Sequence, residues 1–399
     1  MAKRTIVLMP GDGIGKPVLD ETIRVLDAAG FEAEYVHADI GWEFWCKEGN
    51  PLPQRTLDLI AKHKIALFGA ITSKPKDEAF NELAPELKEK NLVYASPIVG
   101  LRQHFDLDIC MRPCRSYKGN PLNFIRRSAD GGVEEPMVDA VIFRQNTEGL
   151  YGGVEWSNPP QQVYDALMTN KAFVKNFSSC PKEELSVSTR IFTKKYTTRI
   201  LKAAFEHAKK FGYPSVTLCE KPNVIRETSG MMYTLAQQMQ KAEYPEIKLH
   251  NTNIDAQMMW LTKNPEDYGV IVAGNMFGDI ASDGFAGLIG GLGFAASAQF
   301  NQESGIGVFE PTHGSAPKYA DYDVSIVNPI AMVEAAVMML EYIDEKAIAA
   351  KIRKAVADVV AEGKVRTYDM MKMSGKADVI TKGAASTQQM VDAIIAKLA

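Results

Sequence analysis

Short apolar runs alternate with segments of helical period along the chain. Runs rich in β-branched and aromatic residues predict strands, and segments whose apolar residues recur every three or four positions predict helices. The predicted strands are residues 5–9, 31–39, 65–68, 215–219, 247–251 and 269–273, and the predicted helices are residues 17–29, 53–62 and 230–240. Such alternation is typical of a largely parallel sheet flanked by helices.

Two other regions follow different patterns. Between residues 151 and 190 the periodicity breaks, and Ser-Asn-Pro-Pro at 157–160 and Ser-Ser-Cys-Pro at 178–181 indicate turns. We interpret this region as an arm that leaves the main body and contacts another subunit. The C-terminal third is predicted to be helical, over residues 328–340 and 388–398.

Composition then narrows the class of protein. A chain of 399 residues, 46% hydrophobic and 24% charged, is long enough for two domains. Its net charge of -4 is spread without basic runs, which argues against nucleic acid as a partner. No apolar stretch reaches the ~18 residues of a membrane helix. Five scattered cysteines without a C-x-x-C pair fit reduced thiols, so we expect a cytoplasmic protein.

A glycine-rich loop, Gly11-Asp12-Gly13-Ile14-Gly15, follows the first predicted strand. It is similar to a dinucleotide-binding turn, and Asp39 lies about where a ribose-binding acid would fall. The spacing differs from that fingerprint, because Lys16 stands where the third glycine belongs. The residues alone leave two interpretations open, a structural turn and a loop that contacts a cofactor.

Two aspartates four residues apart form a candidate metal site. In a helix, Asp279 and Asp283 would share one face, and paired carboxylates suit Mg²⁺ or Mn²⁺. The alternative, which the spacing alone favours, is that Asp279 caps the helix and Asp283 is solvated. A run of small residues at 284–293 permits close packing and shifts the balance towards a site.

Arginine, tyrosine and lysine residues add candidate substrate and proton-transfer groups. Arg102, Arg112 and Arg144 stand at predicted element ends, and guanidinium groups bind carboxylates bidentately, so together they suit a di- or tricarboxylic acid. Tyr151 follows Arg144 by seven residues. Lys221, just after the strand at 215–219, is a candidate general base.

Taken together, these motifs resemble the isocitrate and isopropylmalate dehydrogenase family over essentially the whole chain. The matching segments are residues 8–15 (LMPGDGIG), 102–112, 144–156 (RQNTEGLYGGVEW), 221–223, Asp255, 275–294 and 310–317 (EPTHGSAP). The resemblance implies an α/β two-domain fold with a mixed, largely parallel sheet flanked by helices and a dimer clasp, and not a true Rossmann fold. It implies a large domain of residues 1–107 and 290–399, a small domain of residues 108–148 and 194–289, and a clasp of residues 149–193.

The resemblance also implies an active site shared by two subunits of a homodimer. Asp279 and Asp283 would bind Mg²⁺ or Mn²⁺ together with the partner's Asp255. Substrate carboxylates would be held by Arg102, Arg112 and Arg144. The partner's Lys221 would take the hydroxyl proton as hydride leaves for the nicotinamide, and Tyr151 would donate a proton after CO₂ departs.

Cofactor contacts are expected in two C-terminal segments. Lys318 and Tyr319 stand where members that use NAD place an acid, and both offer hydrogen-bond donors to a 2′-phosphate, so NADP is predicted. The remaining predicted cofactor residues are His313, Gly314, Ser315, Ala316, Asn328, Tyr368 and Lys372.

The substrate is the least constrained element of this hypothesis. Ser96 resembles the serine with which isocitrate dehydrogenases bind their substrate, whereas Ile98 and Val99 are similar to the apolar pocket of isopropylmalate dehydrogenases. We expect NADP-dependent conversion of isocitrate to 2-oxoglutarate and CO₂. The alternatives are 3-isopropylmalate, homoisocitrate or tartrate as substrate, or an inactive regulatory subunit, although Lys221, Tyr151 and all three aspartates are present.

Overall fold

A single mixed sheet organises the computed structural model, which describes residues 3–398. The strands are β1 Arg4–Gly11, β2 Ala33–His37, β3 Ile65–Ala70, β4 Ile109–Arg115, β5 Arg126–Arg127, β6 Val133–Glu134, β7 Asp139–Gln145, β8 Glu155–Ser157, β9 Ser186–Ser188, β10 Ser215–Glu220, β11 Lys248–Asn253, β12 Val270–Ala273, β13 Ala296–Asn301 and β14 Ile306–Pro311.

The α-helices pack around this sheet and continue into the C-terminal region. They are α1 Gly15–Ala29, α2 Trp42–Glu48, α3 Gln54–His63, α4 Lys76–Asn81, α5 Pro97–His104, α6 Gln161–Met168, α7 Lys171–Phe177, α8 Lys194–Phe211, α9 Thr228–Glu243, α10 Ile254–Trp260, α11 Asn275–Leu288, α12 Ile330–Tyr342, α13 Lys346–Glu362 and α14 Thr387–Ala396.

Ten strands join in the order β11-β10-β12-β7-β4-β13-β14-β3-β1-β2. Neighbours are parallel at both ends of the sheet, and the pairs β7–β4, β4–β13 and β13–β14 in the middle are antiparallel. The predicted mixed, largely parallel sheet is therefore confirmed. A Rossmann sheet has a different strand order and lacks this antiparallel centre.

The core lies where apolar elements are covered on both sides. All six residues of β3 are buried, as expected for a strand between two layers of helices. Eleven of the thirteen residues of α12 are buried, and the helix is apolar on every face. It packs against β13 and β14, so the antiparallel centre of the sheet forms a rigid base.

Several predicted boundaries are corrected by local backbone geometry. The predicted strand 31–39 is too long, because Gly30 ends α1 in the left-handed conformation and the chain enters β2 only at Ala33. The helix predicted over 230–240 extends from Thr228 to Glu243. The helices predicted over 328–340 and 388–398 correspond to α12 and α14, whereas the buried hairpin of β13 and β14 at residues 296–311 was not predicted.

The irregular region does form a separate small layer. Strands β8 and β9 pair in an antiparallel ribbon, and α6 and α7 between them contain no buried residue. The arm thus contributes little to the core of its own chain. Its role as a dimer clasp and the proposed domain boundaries remain predictions.

Two further observations concern the cysteines and the helices of residues 3–398. All five cysteines are free thiols, three of them buried. None of the described helices combines the length and apolar character that crossing a membrane requires.

Candidate active site

Helix α11 carries the two candidate metal-binding aspartates. The helix begins at Asn275, directly after β12, with Gly274 as its extended N-cap residue. Asp279 therefore lies one turn inside the helix, and the alternative that it caps the helix is wrong. One guanidinium nitrogen, Nη1 of Arg112, lies 3.1 Å from Asp279 and 3.3 Å from Asp283, so both carboxylates do face the same side.

Two arginines from neighbouring strands converge on Asp279. Arg112 on β4 also donates to the hydroxyl of Ser282 at 2.8 Å. Arg144, near the end of β7, donates to the Asp279 carboxylate and is fixed by the side-chain oxygen of Asn275 at 2.8 and 3.0 Å. Its side chain is only 3% exposed. The antiparallel pairing of β4 with β7 thus points one buried and one partly buried cation at the same carboxylate.

Tyr151 lies on the open side of this cluster. Its hydroxyl is 3.4 Å from Oδ2 of Asp279, and its ring centroid is 5.6 Å from the guanidinium carbon of Arg144. Burial and the neighbouring charge of Asp279 raise the pKa of Tyr151, so its hydroxyl stays a proton donor. Burial likewise raises the pKa of Asp283, against the opposing charge of Arg112.

The side chain of Arg102 extends from α5 and is held by the side-chain amide of Gln299. Its Nε donates to the side-chain oxygen of Gln299 at 2.6 Å, and Gln299 in turn donates to the buried carboxyl of Glu310. Burial raises the pKa of Glu310, while the charges of all three site arginines act to lower it. The charges of Arg102, Arg112 and Arg144 therefore all act on one buried carboxyl. Ser96 is the N-cap residue of the same helix α5, and its hydroxyl makes no capping bond.

Lys221 and Asp255 form a second group. Lys221 follows β10 and Asp255 follows β11, and because these parallel strands end side by side, Nζ of Lys221 lies 2.7 Å from Oδ1 of Asp255. The hydrogen bond from Lys221 lowers the pKa of Asp255. The Asp255 side chain is 65% exposed and therefore open to a second molecule.

The carboxylates fit a divalent cation only in part within one chain. Asp279 and Asp283 supply oxygen ligands on one face of α11, as such a cation requires. Across residues 3–398, no three His, Cys, Asp or Glu side chains are grouped closely enough to hold a metal ion. Within the described residues, Asp255 is therefore not grouped with Asp279 and Asp283, and the predicted set of three aspartates stays a prediction.

A cavity of about 530 Å³ lies beside the glycine-rich loop. Seven of the nine predicted cofactor residues line it: His313, Gly314, Ala316, Lys318, Tyr319, Asn328 and Tyr368. The hydroxyl of Ser315 instead contacts that of Thr72 at 2.6 Å. Lys372 is exposed in a turn and does not line the cavity.

The glycine-rich loop has both a structural and a lining role. Gly13 has φ of +55°, and a Cβ there would lie 2.2 Å from the backbone oxygen of Ser315. The neighbouring amide of Ile14 donates to that same oxygen at 2.9 Å, and Ile14 lines the cavity. Asp39, by contrast, is paired with Arg55 at 2.6 Å.

Three contributing polar residues were missed by sequence reasoning. Asn275 holds Arg144, Gln299 holds Arg102, and Asp369 lines the cavity while accepting a hydrogen bond from Asn328 at 3.1 Å. Only a weak indication of these three residues is present in the sequence. Gln299 stands in a run of small and apolar residues, where a buried amide requires a partner.

Fold and site together define an α/β protein with an acidic pair, an arginine cluster and a nucleotide-sized cavity. Comparison with known proteins gives this class a family. The family model for isocitrate/isopropylmalate dehydrogenase matches residues 5–394. The chain belongs to this family, and the predicted fold class is confirmed.

The proteins similar to this chain carry different names. The chain is 39% identical to protein DlpA of Legionella pneumophila. The match covers 98% of this chain but only 58% of the length of DlpA. It is 34% identical to 3-isopropylmalate dehydrogenase of Methanothermobacter thermautotrophicus, covering 92% of this chain and 93% of that one. The crystal structure of isocitrate dehydrogenase from Methylococcus capsulatus superimposes with a TM-score of 0.78 at 32% identity, covering 99% of both chains.

Proposed function

We propose that the chain is a metal-dependent dehydrogenase that uses NADP to oxidise isocitrate and release CO₂, yielding 2-oxoglutarate. The observation that supports this proposal most strongly is the convergence of Arg112, Arg144 and Tyr151 on the carboxylate of Asp279. A site with two converging guanidinium groups, an acidic face and a phenol suits a polycarboxylic acid whose reaction develops negative charge.

The three arginines bind and orient the acid in this proposal. Arg112 and Arg144 exchange Asp279 for substrate carboxylates, and Arg102 supplies a third guanidinium held by Gln299. Because guanidinium forks bind carboxylates with fixed geometry, the set orients the carbon that loses hydride towards the cofactor cavity.

Proton transfer falls to Lys221 and Tyr151. The partner's Lys221 accepts the proton of the substrate hydroxyl, and Tyr151 returns a proton to the carbon that lost CO₂. The position of the Tyr151 hydroxyl, 3.4 Å from Oδ2 of Asp279, supports the second role. A divalent cation held by Asp279, Asp283 and the partner's Asp255 would supply Lewis-acid stabilisation of the charge on the substrate oxygen.

A homodimer is supported by apolar side chains that one chain leaves exposed. Met259 and Trp260 on α10 are 46% and 41% exposed, and Ile280 on α11 is 42% exposed beside Asp279. In the arm, Val174 and Phe177 are 39% and 50% exposed. Several large apolar side chains left exposed in this way favour a protein interface. A second copy of the chain would cover them and bring the partner's Asp255 to Asp279.

NADP is supported by the donors on one side of the cavity. Nζ of Lys318 lies 4.6 Å from the ring centroid of Tyr319, whose ring is 5.7 Å from that of Tyr368. Within residues 3–398, Lys318 forms no ion pair, so its charge is available to a 2′-phosphate. Asp369 lines the same cavity, but its oxygens already accept hydrogen bonds from Asn328 and Thr367.

The choice of isocitrate depends on the first turn of α5. Ile98 is partly buried and packs against the buried cluster that contains Leu101 and Leu107, which favours a structural role for its side chain. Val99 is 40% exposed, and this observation favours 3-isopropylmalate as the second candidate. Ser96 offers a hydroxyl to the third carboxylate that only isocitrate-type acids carry.

A steady-state assay of each acid with each dinucleotide tests the proposal. NADPH should form with isocitrate and Mg²⁺, and EDTA should stop it. Turnover of 3-isopropylmalate, homoisocitrate or tartrate without turnover of isocitrate would reassign the substrate. Inactivity of a purified homodimer with all four acids and Mn²⁺ would point to a regulatory subunit.

A further inference from the structure

We propose that Glu220 is a positioning residue that fixes Lys221 relative to the start of α11 and to the arm. The inference rests on the proposed function and extends it. It assigns a role to a buried ion pair, Glu220 with Arg190, which none of the motifs above includes.

Glu220 is the last residue of β10 and is completely buried. Nη2 of Arg190 lies 2.8 and 3.1 Å from its two oxygens. The hydroxyl of Ser229 donates at 2.5 Å and the amide of Gly274 at 2.8 Å. A buried charge is costly unless it is paired and hydrogen-bonded, and here both carboxylate oxygens are saturated.

These donors come from three separate segments. Arg190 ends the arm, Ser229 lies in the first turn of α9, and Gly274 is the N-cap residue of α11. A Cβ at Gly274 would lie 2.6 Å from Oε1 of Glu220, so only glycine permits this approach. The carboxylate thus joins segments that are far apart in sequence.

Arg190 strengthens the same junction through aromatic contacts. Its guanidinium carbon lies 4.4 Å from the ring centroid of Phe192 and 5.0 Å from that of Phe277 in α11. The side chain also donates to the hydroxyls of Thr228 and Ser229 at 2.9 Å. The ion pair is therefore packed and directional.

Each joined segment leads directly to a proposed functional group. Lys221 follows Glu220 in the chain, and Asn275, which holds Arg144, follows Gly274. In the proposed dimer, a chain gives Arg144 and Asp279 to its own site and Lys221 to the site of its partner. Glu220 thereby sets the relative position of groups that serve two different active sites.

The test compares Glu220→Gln with Glu334→Gln. Glu334 on α12 is a matched control, because it is also a buried glutamate. Its partners are Arg353 and Tyr117, and it does not contact the site. We expect E220Q to lower kcat roughly tenfold to a hundredfold, since catalysis tolerates little misplacement. KM for NADP should stay within about twofold, because the cofactor cavity is untouched.

Two further measurements separate positioning from simple destabilisation. Mn²⁺ affinity, measured by titration calorimetry without any acid, should weaken severalfold in E220Q and stay unchanged in E334Q. The double variant E220Q/R190M should lose no more kcat than E220Q, because one ion pair is removed in both. Should E220Q fail to fold, Ser229→Ala removes a single donor and should lower kcat by a smaller factor.

The inference is overturned if E220Q and E334Q lower the melting temperature alike while kcat and Mn²⁺ affinity stay at the wild-type values. Its failure is distinguishable from failure of the proposed function. A wild-type protein that binds Mn²⁺ but oxidises no acid would refute the function, and the Mn²⁺ titrations of the variants would still decide the role of Glu220.

Discussion

Nη1 of Arg112 lies 3.1 Å from Oδ1 of Asp279, so a proposed substrate-binding cation and a proposed metal-binding anion are paired with each other. Arg144 forms a second ion pair with the same carboxylate. Each ligand must therefore displace an internal partner of the other. An acid releases Asp279 from the arginines, and a metal ion releases the arginines from Asp279.

This relationship predicts reciprocal coupling between metal and acid binding. Mn²⁺ should bind at least about fivefold more tightly in the presence of saturating isocitrate, and isocitrate should gain by the same factor in Mn²⁺. Calorimetric titrations in both orders measure the two factors. Independent affinities in both titrations would contradict the proposed exchange of partners.

Cofactor preference should follow the charge at the cavity edge. Replacing Lys318 with Asp and Tyr319 with Ile removes two donors and adds a carboxylate that repels a 2′-phosphate. The ratio of kcat/KM for NADP to that for NAD should fall roughly tenfold to a hundredfold, the range of one or two charge-assisted hydrogen bonds. Lys372→Ala should change this ratio little, because Lys372 does not line the cavity. An unchanged ratio in K318D/Y319I would refute the assignment.

The arm should contribute to dimer formation through its exposed apolar residues. Replacing Val174 and Phe177 with Asp places two charges on α7, where one chain buries no residue. Sedimentation should show dissociation at a concentration at which the wild type is dimeric, with loss of turnover in parallel. Phe211→Asp is the matched control, since Phe211 on α8 is 49% exposed outside the arm. Equal dimer stability in all three proteins would exclude the arm from the interface.

Stability should depend on pH through Asp108, whose pKa is raised by burial to about 7. Among residues 3–398, neither of its oxygens has a hydrogen-bond donor, although Arg199 lies 2.9 Å away. The folded state therefore keeps a proton that the unfolded state releases near its ordinary value of 3.8. The free energy of unfolding should fall as pH rises from about 4 to about 7, by at most about 1.4 kcal/mol per unit from this group.

Urea titrations between pH 5 and pH 8 measure this dependence. Asp108→Asn keeps the side-chain shape without the charge, and Arg199 retains Asp106 at 3.0 Å and Asn301 at 2.8 Å. The variant should show a flatter pH dependence and a higher relative stability at pH 8. Parallel curves for wild type and D108N would show that Asp108 does not titrate in this window.

Local patterns were sufficient to predict the outer parts of the sheet. Strands such as β1, β3 and β12 are short apolar runs next to amphipathic helices, so their burial is visible in composition. The hairpin β13–β14 was missed, because its buried face includes the polar residues Ser297, Gln299 and Glu310. Ser297 and Gln299 have partners in distant segments, Cys110 and Arg102, and Glu310 accepts a hydrogen bond from Gln299. The sequence alone does not show which side chains will form hydrogen bonds with such polar residues.

The start of α11 shows the same limit within the site. The sequence favours a turn at Gly278, yet this residue lies inside α11. A Cβ at this position would be 2.7 Å from Cβ of Arg144. A long-range approach of Arg144 therefore explains a glycine that a local rule assigns to a loop. The four-residue spacing of Asp279 and Asp283 was informative because it depends only on helical geometry.

The central claim, a metal-dependent oxidative decarboxylation, is tested most directly by product stoichiometry. Isocitrate labelled with ¹³C in the carboxylate to be lost is incubated with NADP and Mg²⁺, and labelled CO₂, 2-oxoglutarate and NADPH are quantified together. The account predicts equal amounts of the three products from the wild type and none from Asp279→Asn, while the surface variant Asp358→Asn behaves as wild type. NADPH without labelled CO₂, or full product formation by D279N, would contradict it.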